Sequence, residues 1–147
     1  ALREVASAVE RKIDALVPTG LQARPERFLA AISSNHETAR RVIRKTARLA
    51  AYYNSRWYVL YVQTAAESPS RMINNLKLAT ELGAEVIQVK GDDVVRCIMN
   101  EVDRHHVTTV CIGKPHFNLM QVILRTFAFN QLLNRLAESD TDLIILS

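Results

Sequence analysis

From residue 27 onward, short apolar runs alternate with longer amphipathic stretches. Residues 27–33 (RFLAAIS), 56–63 (RWYVLYVQ), 84–89 (AEVIQV), 108–112 (TTVCI) and 142–146 (DLIIL) are mostly apolar and rich in β-branched and aromatic side chains. Such near-continuous runs are the mark of strands covered on both faces. Between the first two, Ala39, Val42, Ile43, Ala47, Leu49 and Ala50 recur at helical spacing and predict a helix over 36–54. A second helix is predicted over 72–82, closed by Gly83 at a position that favours a left-handed residue. A third covers 92–106, with Asp92 or Asp93 as its cap, and a fourth covers 118–138. Strands alternating with helices of this length mean βαβ units. The expected fold is α/β, a three-layer, doubly wound sheet of five parallel strands. In such sheets ligands lie beyond the carboxyl ends of the strands, where the strand order reverses.

The first 26 residues stand apart from this alternation. Leu2, Val5, Val9, Ile13 and Leu16 form one stripe and predict an extra N-terminal helix over 1–17. Residues 18–26 carry Pro18, Gly20 and Pro25 and read as a linker, so the domain proper is expected at 27–147. The chain opens in mid-helix and closes on an apolar strand, the expectation for a piece cut from a larger protein.

Composition narrows the classes. Of 147 residues, 48% are apolar and 23% charged, an ordinary globular balance. Two cysteines, Cys97 and Cys111, exclude a disulfide framework or a Cys-rich zinc site. No uncharged run approaches the ~20 apolar residues of a membrane-spanning helix. With four glycines, at 20, 83, 91 and 113, the chain builds neither a P-loop nor a Rossmann fingerprint. The histidines lack H-E-x-x-H spacing, and no G-x-S-x-G elbow supports nucleophilic catalysis.

The strand ends hold the candidate chemistry. The first ends in Ser33-Ser34-Asn35, which can cap the following helix, whose free N–H groups attract anions. A cap without a ligand gives the same pattern. The fourth ends in Gly113-Lys114: glycine permits close backbone approach and lysine can neutralise a phosphate, although an ordinary turn looks the same.

The net charge of +4 has a location. Residues 36–54 carry Arg40, Arg41, Arg44, Lys45 and Arg48 against Glu37 alone, and Arg41, Arg44, Lys45 and Arg48 share one face. That face is either simply solvated or a docking surface for phosphates, an acidic partner or anionic lipid headgroups. Nucleic acid is not expected, because no interleaved aromatics accompany the charges. Residues 118–133 are apolar beyond the width of one helical stripe, which points to a contact with a partner or another domain.

The blocks 39–51 (ARRVIRKTARLAA), 57–62 (WYVLYV), 78–89 (LATELGAEVIQV) and 110–115 (VCIGKP) resemble the universal stress protein fold, and within it the cytoplasmic stress-protein-like domain of the Kdp potassium-sensing histidine kinases. The opening ALREVA resembles the tail of the sensor module that precedes it. The resemblance implies a regulatory cytoplasmic domain of an inner-membrane protein, one that controls potassium transport in response to osmotic stress. Its implied partners are the other domains of the same kinase, a second copy in a homodimer, and a response regulator reached through the kinase core. The phosphorylated histidine and ATP site of that core lie outside this sequence.

Ligands follow from the resemblance in two ways. ATP-binding stress proteins carry an Asp after the first strand and a G-x-x-G-(nine residues)-G-[ST] run after the fourth. Here Ser33 or Ser34 replaces the Asp, His116 the second glycine, and Thr126-Phe127 the last pair, so ATP loses part of its cradle. Other members bind cyclic di-AMP through a Ser-rich element and an FTAxY-like strand. Ser33, Ser34 and Asn35 correspond to the first, and Trp57 and Tyr61 hold aromatic positions of the second. The expected ligand is cyclic di-AMP or ATP, at Ser33, Ser34, Asn35, Trp57, Tyr61, Gly113 and Lys114. The alternatives are an interaction module without a ligand and, weakest, an ATP hydrolase.

Overall fold

A computed structural model describes residues 25–33, 35–63, 72–114 and 130–146. Five strands form one sheet: β1 (Arg27–Ile32), β2 (Arg56–Gln63), β3 (Glu85–Lys90), β4 (Thr109–Gly113) and β5 (Asp142–Leu146). Three helices lie between them, α1 (His36–Tyr52), α2 (Ile73–Glu81) and α3 (Val94–His105). Residues 130–137 belong to a fourth, α4. The expected helix over 1–17, nearly all of the linker, Ser34 and most of the 118–138 stretch fall outside the described residues.

The sheet order is β3-β2-β1-β4-β5 and every pairing is parallel. The chain winds outward from β1 to β3, then returns to the far side of β1 and winds the other way. The strand order therefore reverses between β1 and β4. This is the expected doubly wound α/β sheet.

Side-chain alternation along the strands builds two cores. Phe28, Ala30 and Ile32 of β1 join Trp57, Val59 and Tyr61 of β2 under α1 and α2. Leu29 joins Tyr58, Leu60 and Val62 on the opposite face, under α3 and α4. Both faces of β1 and β2 are buried, which is why neither strand alternates with polar residues. The edge strands β3 and β5 are only half-buried, and β3 carries Glu85, Gln88 and Lys90 there.

The helix ends have identifiable causes. Asn35 caps α1 by accepting from the Thr38 N–H, and Asp93 caps α3 by accepting from the Arg96 N–H. The predicted span 36–54 stops at Tyr52, because Asn54 turns the chain through the left-handed region at φ 50°. Gly83 does the same after α2 at φ 97°. No described helix is long and apolar enough to cross a membrane.

Candidate functional site

The reversal point brings two chain ends together. β1 pairs with β4 from Phe28↔Thr109 to Ala31↔Ile112, so Ser33 and Gly113-Lys114 emerge side by side beyond the sheet. Ser33 and Lys114 are exposed. Asn35 follows in the same turn, its Oδ1 accepting from the Thr38 N–H at 3.0 Å. The backbone N–H of Lys114 donates to the Leu146 carbonyl at 3.0 Å, which ties this turn to the end of β5. Tyr61 pairs with Ile32 and so lies at the same end, but it is 1% exposed and packed in the α1–α2 core.

Gly113 has a packing reason as well as a chemical one. A Cβ there would run into the Cγ2 of Thr38 and sit 3.1 Å from that of Val42. The missing side chain lets the first turn of α1 close onto the end of β4. Gly113 thus lies directly against the amino end of α1, beside Ser33 and Lys114.

Asn75 is a polar residue of the core that lies outside the strand-end motifs. It is fully buried in α2, and its Nδ2 donates to the His36 carbonyl at 3.0 Å, fastening α2 to the first turn of α1. Its Oδ1 is buried and finds no hydrogen-bond partner among the described residues. The only sequence signal was an asparagine beside Leu76 within a helix, which reads equally well as surface.

Trp57 does not join the crevice. It pairs with Phe28 at the amino end of the sheet, roughly 13 Å from Tyr61 at a strand rise of ~3.3 Å per residue. It is 5% exposed and packs in the α1–α2 core. The structure therefore brings Ser33, Asn35, Tyr61, Gly113 and Lys114 to one end and leaves Trp57 at the other. Ser34 lies outside the described residues. The basic row is separate again: Arg41, Arg44 and Arg48 are exposed on the side of α1 turned away from its buried residues Ala39, Val42, Ile43, Thr46 and Ala50, while Lys45 is half-buried.

The other polar cluster lies at the opposite end. Thr108 Oγ1 accepts from the Arg27 N–H at 3.0 Å and lies 2.7 Å from Glu26 Oε2, and Arg27 Nη1 donates to the His105 carbonyl at 2.9 Å. His105 stacks on Tyr58 and lies 3.1 Å from the buried Glu101 carboxylate. These contacts pin the starts of β1 and β4 to the end of α3. Burial pushes the Cys111 thiol up to about 11, against a smaller opposing effect from the Thr46 hydroxyl. Burial also raises Cys97, with Asp93 adding to it. Both thiols stay protonated near neutral pH, as core residues do. Among the described residues no three potential ligands gather to hold a metal ion. The crevice presents a hydroxyl, an amide, backbone groups and one ammonium, a set suited to holding an anion.

No family model matches the chain. Two curated relatives do. The sensor protein KdpD of Clostridium acetobutylicum is 33% identical over 124 residues, 79% of this chain. That of Escherichia coli K12 is 31% identical over 87 residues, 54% of the chain. This chain is homologous to the KdpD sensor proteins. It spans a small part of them, the matches covering 14% and 10% of their lengths. Among solved structures, a universal stress protein in complex with cAMP superposes with a TM-score of 0.62 at 17% identity, covering 84% of this chain and 97% of that one. The universal stress protein UspA of Lactobacillus plantarum gives 0.59 at 12% identity, covering 85% and 99%. That of Archaeoglobus fulgidus in complex with dAMP gives 0.55 at 15%, covering 83% and 98%. The KdpD-homologous segment thus has the universal stress protein fold.

Proposed function

We propose that this chain is a regulatory domain of a sensor kinase and that it reads an adenine nucleotide in the crevice between β1 and β4. The observation that carries the reading is the placement of Ser33, Asn35, Gly113 and Lys114 together at the point of strand reversal. Hydroxyl and amide groups there suit a sugar or base edge, and Lys114 suits a phosphate. Two of the solved neighbours are complexes with cAMP and with dAMP, which supports an adenine ligand. The homology to KdpD supports a role in the input half of a kinase that answers to potassium or osmotic stress and passes phosphate to a response regulator, with this domain on the cytoplasmic side of a membrane-anchored protein. Cyclic di-AMP is the favoured ligand. ATP is second, because His116 and Thr126 replace the glycines that would wrap a triphosphate.

Calorimetric titration of the purified chain with cyclic di-AMP and ATP tests this reading. Saturable heat with cyclic di-AMP, stronger than with ATP, supports it. The absence of heat with either nucleotide at high micromolar concentration removes it.

A further inference from the structure

The nucleotide reading makes no use of the outer surface of the α1–α2 layer, yet the charge of the molecule is gathered there. α1 carries five basic side chains against one acidic. α3, on the opposite face, carries Arg96 and Arg104 against Glu101 and Asp103, with Asp93 as its cap. Among the described helices α1 therefore carries the largest positive excess.

The disposition of the charges matters as much as their number. Arg41, Arg44 and Arg48 are exposed in a row opposite the buried stripe of α1, with no ion pair to any described acidic side chain. The row continues in Tyr52, four residues beyond Arg48 and 63% exposed. At ~1.5 Å per residue it runs roughly 16 Å along the helix. Like charges at three- and four-residue spacing disfavour the isolated helix, so the row costs stability unless an anion offsets it. A row of arginines that ends in an exposed tyrosine is the composition of a surface that meets a headgroup layer.

We propose that the α1–α2 layer docks on an anionic lipid bilayer, with Arg41, Arg44 and Arg48 on the headgroups and Tyr52 at the interface. Charge complementarity selects the occupant. A planar anionic surface engages a straight row of arginines without any shaped groove. A protein partner is the competing occupant, and vesicles made only of lipid separate the two.

Flotation of the full chain with vesicles of phosphatidylcholine, with and without added phosphatidylglycerol, tests the proposal. The chain is expected to float with the anionic vesicles only, and to be released as salt rises. Replacing all three arginines (Arg41→Gln, Arg44→Gln, Arg48→Gln) is expected to weaken binding about a hundred-fold, at about five-fold per residue, a step of about 1 kcal/mol. The pair Arg96→Gln with Arg104→Gln on the other face is expected to leave it within a few-fold. Soluble glycerol phosphate at the same phosphate concentration is expected not to compete. Equal binding to neutral vesicles, no binding to either, loss through the Arg96 pair, or full competition by glycerol phosphate would each overturn the proposal. The salt titration uses the unaltered chain, so the test holds even if the triple variant fails to fold.

Discussion

Gly113→Ala tests how the crevice is built. Nothing in the backbone of Gly113 lies in the left-handed region, so the conformation itself tolerates alanine. In the unfolded chain the change is favourable by about 0.4–1 kcal/mol. The new Cβ nevertheless runs into Thr38 Cγ2 and meets Val42 Cγ2 at 3.1 Å. Both atoms belong to α1, whose first two turns are held by the Asn35 cap and by the Asn75 bond to the His36 carbonyl. The helix must move, and overpacking of this kind costs about 1–3 kcal/mol. The net expectation is a loss of about 1–2 kcal/mol, or roughly 3–8 °C in Tm. Urea and thermal unfolding measure it. Thr38→Ser removes the offending methyl and keeps the hydroxyl, so Thr38→Ser with Gly113→Ala should recover about 1 kcal/mol beyond additivity. If Gly113→Ala is as stable as the parent and the pair is additive, the close approach of α1 to β4 is wrong.

Three further expectations follow from separate parts of the molecule. Thr108→Val leaves the Arg27 N–H without its hydroxyl acceptor and should cost about 1–3 kcal/mol in urea unfolding, whereas a neutral effect would dissolve the cluster that joins β1 to β4. Because Cys111 holds its proton to about pH 11 in the folded chain and releases it from about 9 when unfolded, stability should fall as pH rises between those values, by up to about 1.4 kcal/mol per unit. The slope should vanish in Cys111→Ala, and parallel curves for the two proteins would contradict the burial of this thiol. Trp57 is the single tryptophan, so its fluorescence reports the amino end of the sheet alone. The emission should be that of a buried indole and should not respond to nucleotide, and quenching by ligand would place the site where the structure does not.

The elements were legible because burial on two faces and on one leave different traces. The bounds of β2 and β5 match their apolar runs residue for residue, because both runs begin sharply at a charged residue, Arg56 and Asp142. The predicted α1 runs two residues past Tyr52 because Asn54 is acceptable in a helix and here takes a left-handed turn instead. Ser33, Asn35, Gly113 and Lys114 could be placed together because strand alternation fixes a parallel sheet, and a parallel sheet fixes where its carboxyl ends meet. Trp57 was grouped with them because a strand motif read as a unit ignores its length, and eight residues of β2 carry the two aromatics to opposite ends. Asn75 escaped notice because its burial depends on how α2 leans on α1, which no local pattern encodes. Lys45 shares the arginine face by spacing, but it sits toward the core side of that face and is half-buried.

The most direct test of the nucleotide crevice is residue-resolved. Amide chemical shifts of the chain, followed as cyclic di-AMP is added, should move at Ser33, Asn35 and the first turn of α1, and at Gly113 and Lys114, while Phe28, Trp57 and Thr108 at the far end stay still. Shifts confined to that far end, or none at saturating ligand, would contradict the account.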